Sequence, residues 1–227
     1  MYFCCVNSNT EENYLKAIFL LTDGVSEVQP KELSESLGVK MSTINSMMKR
    51  LVEKGLVEHT SYRPISLTKS GRKMAALIIR KHRLTEMFLV EKMEFGWEEV
   101  HEIAEQVEHI KSPIFFEKMN EMLGSPKQDP HGSPIPDLNG NIDNVNYPKL
   151  SECEKNAELR LVAVNNSSED FLKFLNARKI SLGLIMKVLS VEPFDGNMTI
   201  LFNEKREEVL SKIVCDRMLV TQLNPSK

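Results

Sequence analysis

The chain has few of the features that mark disulfide-stabilised, membrane or secreted proteins. Its 227 residues include four cysteines: Cys4 and Cys5 are adjacent, and Cys153 and Cys215 stand alone. This spacing indicates neither a disulfide framework nor a zinc knuckle. No apolar run reaches the roughly 20 residues of a membrane span, and the first residues lack the basic start and apolar stretch of a secretory signal. We therefore expect a cytoplasmic protein that does not enter a membrane.

The charged residues are divided unevenly along the chain. Hydrophobic residues make up 41% of the sequence, which is enough for two or three small cores, and the net charge is only −3. From Gly38 to Arg83, however, eleven Lys or Arg stand against two acidic residues, a balance of 11 − 2 = +9. From Leu84 to His131, four lysines stand against eleven acidic residues, a balance of 4 − 11 = −7. This division predicts that the first block binds a polyanion and that the second block binds cations.

The basic block has a helix-turn-helix pattern. Ser8 and Asn9 offer N-cap oxygens for a first helix through TEENYLKAIFLLT. Pro30 suits the first turn of a short second helix that Gly38 ends in a left-handed conformation. Ser42 can cap a third helix that ends at Gly55. Helix, short glycine-containing turn, helix is typical of DNA-binding domains.

Two short strands, LVEHT and ISLT, follow around SYRP and predict a wing. The wing argues against an all-helical interaction module, whereas a metal-free winged-helix protein remains an alternative. With the third helix in the major groove, we expect one set of residues near base edges and another on phosphates. The first set is Lys40, Ser42, Thr43 and Ser46, and the second is Lys49, Arg50 and Arg63. For each of them, an ordinary exposed polar position is an equal alternative.

The acidic block contains HEIAEQVEHI, which places His101, Glu105, Glu108 and His109 along one side of a predicted helix from Glu98 to Ile110. In RKHRLTEMFL, on a long helix that Thr68 can cap, His82 and Glu86 stand four residues apart and share a face. Two such faces can share a cation. The alternative is that each is a solvated helix surface.

Downstream segments complete the architecture. PIFFEKMNEML, from Pro113 to a stop at Gly124, carries more apolar surface than two short neighbours cover and predicts a dimer face, with an intradomain core as the alternative. Residues 129–147 are rich in Pro, Gly, Asn and Asp and are typical of a linker. Beyond them, strands around one helix predict a small, partly open β-barrel.

The runs RKHRLTEMFL, VHEIAEQVEH and PHGSPIP, behind a winged helix that opens with ENYLKAIFLL, resemble the diphtheria-toxin-repressor (DtxR) family, which includes manganese transport regulators (MntR). The resemblance is strongest from Glu12 to Pro136. It implies a mainly α fold with small β: a winged helix-turn-helix at 1–76, a helical metal-binding and dimerisation domain at 77–128, a linker at 129–148, and an SH3-like (FeoA-like) β-barrel at 149–227. It also implies a homodimer that binds a palindromic double-stranded DNA operator and represses metal-uptake genes.

The resemblance also implies two metal sites. The first matches Asn13, Glu105, Glu108 and His109, and the second matches His82, Glu86 and His101. In some members the second site draws on the segment that here offers Asp129 and His131, and the C-terminal domain can add a ligand, for which Asp170 is the candidate.

Two departures from iron-type relatives concern the choice of metal. Those relatives place cysteine where this chain has Glu105 and methionine where it has Asn13. Oxygen in place of sulfur hardens the site, which favours Mn²⁺ and leaves Fe²⁺ as the alternative. Manganese-type relatives more often carry aspartate at the position of Asn13, so this neutral side chain reduces the charge of the site.

Two other functional classes remain as alternatives. A metalloenzyme would need an open coordination position and a general base, and no HExxH helix is present, so no enzymatic activity is expected. A metal-independent winged-helix regulator would leave the acidic face solvated.

Overall fold

The structure is a computed structural model that describes residues 7–22, 26–60, 63–143, 145–165 and 168–223. Cys4, Cys5 and the Ser61–Tyr62 part of the predicted wing tip lie outside these residues. The chain forms two compact units. The first contains Met1–Thr85, Ile103–Lys127 and Ile135–Asp143, and the second contains Glu86–Glu102, Gln128–Pro134 and Asn144–Lys227.

The first unit begins with the predicted winged helix-turn-helix. Its elements are α1 (Asn9–Thr22), α2 (Pro30–Leu37), α3 (Met41–Glu53), β1 (Val57–Glu58) and β2 (Ser66–Leu67). The two strands pair antiparallel, with Val57 opposite Leu67. Apolar positions at helical spacing turn inward, so that Leu15, Ile18, Leu33, Ile44, Met48 and Leu51 are fully buried in one core.

Local capping fixes most helix ends where the sequence predicts them. Ser8 Oγ accepts a hydrogen bond from Glu11 N (3.3 Å) while Glu11 Oε2 accepts one from Ser8 N (2.8 Å), which is a capping box. Gly38 ends α2 with a φ of +63°. The predicted cap at Ser42 is wrong. Lys40 is the N-cap residue of α3, because its carbonyl already accepts hydrogen bonds from Thr43 N and Ile44 N, and Ser42 lies inside the first turn.

Three further helices follow: α4 (Lys69–Met93), α5 (His101–Val107) and α6 (Pro113–Met122). Thr68 caps α4, since its Oγ1 accepts a hydrogen bond from Gly71 N at 3.0 Å. The predicted helix from Glu98 to Ile110 is too long at both ends. A turn in which Glu99 N donates to Gly96 O precedes α5, and a tightened bond from Ile110 N to Val107 O ends it, so Glu108 lies in a turn.

Helix α6 keeps part of its apolar surface exposed, as the predicted dimer face requires. Ile114 is 81% exposed and Met122 is 56% exposed, whereas Phe116 is buried.

The second unit contains a five-stranded antiparallel sheet in the order β6-β5-β4-β3-β7. The strands are β3 (Glu158–Val164), β4 (Ile185–Val191), β5 (Met198–Phe202), β6 (Arg206–Leu210) and β7 (Met218–Gln222), accompanied by α7 (Glu169–Ala177) and α8 (Lys212–Cys215). Leu159, Leu161, Val188, Ile200 and Phe202 are buried in its core. Strand β6 and helix α8 were not predicted. The winged-helix, helical and SH3-like β parts confirm the predicted fold class.

The described cysteines, Cys153 and Cys215, are free thiols, and burial raises the pKa of Cys215 to about 12. Among the helices that the structure describes, none combines the length and the apolar character of a membrane span.

Candidate metal centres

The first candidate centre, within the first unit, is built around two carboxylates and one ammonium. Glu105 lies on α5 and Glu108 in the turn after it, whereas Lys16 lies on α1. Lys16 Nζ is 2.6 Å from Glu105 Oε1 and 2.7 and 2.9 Å from the two oxygens of Glu108. The Glu108 side chain is fully buried and that of Lys16 is 10% exposed. The ammonium therefore balances the charge of buried Glu108 and of Glu105, whose side chain is 35% exposed.

His82 joins this centre from α4. Its Nδ1 lies 2.6 Å from Glu108 Oε2, and one donor atom from each of His82, Glu105 and Glu108 fits within 4.8 Å. Burial raises the pKa of Glu108, but hydrogen bonds and charges from His82 and Lys16 outweigh burial and lower the pKa below its usual value. Glu108 is therefore held as a carboxylate, the form that binds a metal. The resemblance assigns His82 to the second site, and that assignment stays a prediction.

His109 is oriented by a carboxylate that the sequence reasoning missed. His109 Nδ1 lies 2.7 Å from Glu12 Oε2, and its Nε2 lies 3.8 Å from Glu108 Oε1. A carboxylate on one ring nitrogen fixes the tautomer and orientation of a histidine whose other nitrogen can bind a metal. The only signal for this role was the position of Glu12, beside Asn13 at the start of α1.

The side-chain oxygen of Asn13 is a buried hydrogen-bond acceptor. Among the described residues, no hydrogen bond reaches Asn13 Oδ1, although this atom is buried. A buried acceptor without a partner is unfavourable, and a bound cation is one way to satisfy it. Carboxylate, imidazole and amide oxygen donors together suit a hard or borderline divalent cation, so the residues present fit a metal of this kind.

A second candidate centre lies in the second unit. Glu86, Asp129 and His131 are each more than 90% buried, and one donor atom from each fits within 4.8 Å. His131 Nδ1 is 3.8 Å from Glu86 Oε2, and the exposed His101 has its Nδ1 3.3 Å from Glu86 Oε1. The carboxylates of Glu86 and Asp129 and the imidazole of His131 are thus held together away from water.

The polypeptide around His131 fixes its donor atom. His131 Nε2 hydrogen-bonds the Trp97 carbonyl at 2.8 Å, which makes Nε2 the protonated nitrogen and leaves Nδ1 with a lone pair. The Trp97 ring stacks on the imidazole at 5.8 Å between centroids. Gly132 has a φ of +87° and packs against the backbone of β3, where a Cβ atom would clash. Neither role of Trp97 was predicted. Asp170, the remaining candidate ligand, is exposed in the first turn of α7 and belongs to none of the donor clusters of the described residues.

The candidate DNA-binding residues share one property, which is exposure: Lys40, Ser42, Thr43, Ser46, Lys49, Arg50 and Arg63. Six of them belong to α3 or its N-cap, and Arg63 follows in the wing segment. The Ser46 hydroxyl donates to the Ser42 carbonyl at 2.9 Å. These positions can reach a nucleic acid without unfolding of the core.

Buried Glu11 joins the DNA-binding helix to α1. Its carboxylate accepts hydrogen bonds from Arg50 at 3.0 Å and Lys54 at 2.8 Å. Burial raises the pKa of Glu11, but the hydrogen bonds from Lys54 and Ser8 and the charges of Lys54 and Arg50 produce a net lowering. The internal ion pair of Arg50 was not predicted, and 58% of its side chain remains exposed.

A winged helix beside clustered metal donors defines a metal-responsive DNA-binding regulator, and comparison with known proteins agrees. Residues 8–65 match the iron-dependent repressor N-terminal DNA-binding domain, and residues 68–137 match the iron-dependent repressor metal-binding and dimerisation domain. The iron-dependent repressor IdeR of Mycobacterium tuberculosis is 31% identical over 162 residues, which cover 68% of this chain and 70% of that protein. The diphtheria toxin repressor of Corynebacterium diphtheriae is 27% identical over 217 residues, which cover 90% and 94%.

Solved structures extend the similarity to nearly the whole chain. A manganese-dependent transcriptional repressor in complex with manganese superimposes with a TM-score of 0.86 at 30% identity, covering 94% of this chain and 100% of that one. The chain belongs to the DtxR/MntR family of metal-dependent transcriptional repressors. It is a DNA-binding regulator that depends on a divalent metal and forms a homodimer, and it is not an enzyme.

Proposed function

We propose that the chain is a manganese-responsive repressor of metal-uptake genes that binds a palindromic operator. The observation that carries the choice of metal is the donor chemistry of the first centre, where the proposed ligands offer only oxygen and nitrogen: Asn13, Glu105, Glu108 and His109. Hard oxygen donors suit Mn²⁺, whereas sulfur donors select softer metals. The similar repressor solved with manganese supports this choice.

Fe²⁺ is the second candidate. Relatives with similar identity are named iron-dependent repressors, and Fe²⁺ accepts the same oxygen and imidazole donors. Only a direct comparison of the two ions under equal free concentrations separates these candidates.

Helix α1 is the element that we propose couples metal to DNA. Glu11 pairs with Arg50 and Lys54 of the DNA-binding helix region, whereas Glu12 pairs with His109 at the first centre. Because these two glutamates are neighbours on one rigid helix, a position of α1 that suits the metal ligands also fixes the position of α3. A bound divalent cation would neutralise the carboxylates and tie α1 to the turn after α5. A coupling of ~1–3 kcal/mol gives a 5–150-fold change in DNA affinity.

The exposed positions of α3 are proposed to contact the major groove. Base edges would be contacted by Lys40, Ser42, Thr43 and Ser46, and phosphates by Lys49, Arg50 and Arg63. A homodimer with a two-fold axis binds a two-fold symmetric site, from which the palindromic operator follows. Since its target is DNA, the cytoplasm is the proposed place of action. The proposed division into 1–76, 77–128, 129–148 and 149–227 assigns DNA binding to the first part and metal binding with dimerisation to the second.

The second centre is proposed to hold a second ion through Glu86, Asp129 and His131, with His101 as a further ligand. All three central groups are buried, and each offers a donor atom within 4.8 Å of the others. A cation there would balance the charge of two carboxylates.

The test is DNA binding by the full-length protein, stripped with chelator, to its own upstream DNA. Fluorescence anisotropy is followed while Mn²⁺, anaerobic Fe²⁺ or Zn²⁺ is added at buffered free concentrations. Glu105→Ala and Glu108→Ala should lose the metal response, whereas Glu169→Gln, which alters an exposed ion pair with Lys173, should retain it. The ion that acts at the lowest free concentration identifies the effector. Equal DNA binding with chelator and with metal would refute the proposal.

A further inference from the structure

Lys16 is an unusual lysine because its ammonium is inside the first centre. Its side chain is 10% exposed, and Nζ contacts both Glu105 and Glu108 at hydrogen-bond distance. Lysine is almost never buried unless its charge is paired. Here the pairing is with two of the groups proposed to bind the metal.

The ammonium and a metal ion compete for the same oxygens. An oxygen that holds a divalent cation directly cannot also accept a hydrogen bond of full strength from an ammonium, and the two positive charges repel each other. The ammonium also stabilises the metal-free state, since it donates to both oxygens of buried Glu108, which His82 also contacts.

We infer that Lys16 is a tethered counter-cation, which fills the first centre in the metal-free protein and must be displaced when the metal binds. This inference rests on the proposed function. Its consequence is that Lys16 sets the free metal concentration at which the repressor responds, because part of the metal-binding free energy is used to break its contacts with Glu105 and Glu108.

Competition distinguishes Lys16 from other nearby lysines. Burial lowers the pKa of Lys81, and the charges of nearby Glu12 and Glu108 oppose this effect in part. Its Nζ, however, donates to the backbone carbonyls of Glu108 and Ile110 at 3.2 and 3.3 Å and does not contact the carboxylates. Lys81→Met therefore removes a neighbouring positive charge without emptying the position between the carboxylates, and is the matched control.

The first experiment measures Mn²⁺ affinity by calorimetry and the thermal midpoint with and without Mn²⁺, for the full-length parent, Lys16→Met and Lys81→Met. We expect Lys16→Met to bind Mn²⁺ about tenfold more tightly, because the metal no longer has to displace charged hydrogen bonds. Its thermal unfolding midpoint should be lower than that of the parent only in the metal-free protein. We expect Lys81→Met to change affinity by less than about threefold. Unchanged or weaker Mn²⁺ binding by Lys16→Met overturns the inference.

The second experiment detects the displacement itself. Amine labelling followed by mass spectrometry compares the reactivity of Lys16 in the metal-free and Mn²⁺-bound parent, with exposed Lys31 as internal reference. We expect Lys16 to be protected without metal and reactive with it. Equal protection in both states contradicts displacement.

Failure of the proposed function and failure of the inference give different patterns of Mn²⁺ affinity among the variants. If Glu105→Ala and Glu108→Ala bind Mn²⁺ as the parent does, the metal centre is wrongly placed and the inference falls with it. If both variants lose Mn²⁺ while Lys16→Met gains no affinity, the centre stands and only the displacement is wrong.

Discussion

Glu12 Oε2 lies 2.7 Å from His109 Nδ1, so a carboxylate of α1 orients the imidazole that follows α5. The two residues are 97 positions apart in sequence. Their contact joins the start of the DNA-binding domain to the proposed metal ligands. The geometry of the first centre is therefore partly set by a residue outside the proposed ligands, and we expect this residue to contribute to metal affinity.

Replacement of Glu12 tests this preorganisation. In Glu12→Gln the amide no longer fixes the tautomer of His109, and we expect Mn²⁺ affinity to fall about tenfold or more, as for other carboxylates that orient metal-bound histidines. Calorimetric titration measures the change, with Glu35→Gln on exposed α2 as control. Parental affinity in Glu12→Gln would show that the contact is only structural.

Asn13 should respond in opposite directions to two substitutions. Asn13→Leu removes a buried oxygen that has no hydrogen-bond partner among the described residues, so the metal-free protein should become more stable by about 1 kcal/mol while Mn²⁺ binding weakens. Asn13→Asp adds a negative charge and should strengthen Mn²⁺ binding. Urea unfolding and Mn²⁺ titration measure the two effects. If neither substitution changes Mn²⁺ affinity, Asn13 is not a ligand.

Glu11 should transmit the metal signal without binding metal. Glu11→Gln weakens the pairs with Arg50 and Lys54, and we expect a loss of about 1–2 kcal/mol in stability, limited because both cations can reach water. Mn²⁺ affinity should remain near that of the parent, while the gain in DNA affinity on adding Mn²⁺ should decrease. An unchanged gain would exclude this pair as a coupling element. Lys31→Gln, which touches only an exposed pair on α2, is the control.

The second centre predicts a second equivalent of metal. At saturating Mn²⁺, elemental analysis should find two ions per chain in the parent and one in His131→Ala or Glu86→Gln. Asp195→Asn, at an exposed turn of the sheet domain, should leave the ratio at two. A parental ratio in both variants would show that these buried groups do not hold an ion.

The sequence predicted the elements whose signals are local. The winged helix was predictable because Gly38 at a left-handed position and the apolar spacing of Ile44, Met48 and Leu51 are short-range patterns. The cap at Ser42 was wrong because the preference of serine for N-caps was outweighed by the extended backbone at Lys40, which starts α3 two residues before the expected position. Strand β6 was missed because REEVL is mostly charged and is a strand only through pairing with β5.

Residue type and spacing indicated the acidic, histidine-containing helix faces, and the resemblance indicated the two ligand sets, but neither indicated the internal partners of these residues. His101, Glu105, Glu108 and His109 were selected as one helical face, and the resemblance placed His101 in the second site and the other three in the first. In the structure His101 contacts Glu86 of the second centre, whereas Glu105, Glu108 and His109 lie at the first. Lys16 and Glu12 were missed because a lysine or glutamate on an amphipathic helix is usually solvated. Only the long-range contact with the segment at 105–109 shows otherwise.

The central claim is that metal held by Glu105, Glu108 and His109 switches DNA binding. The most direct measurement follows Mn²⁺ occupancy by electron paramagnetic resonance and DNA binding by anisotropy in the same samples, across buffered free Mn²⁺ concentrations. We expect the rise in DNA affinity to track the filling of the first centre in the parent and to be lost in Glu108→Ala, in which metal at the second centre remains. Full DNA affinity in the chelated parent, or a parental response in Glu108→Ala, would contradict the claim.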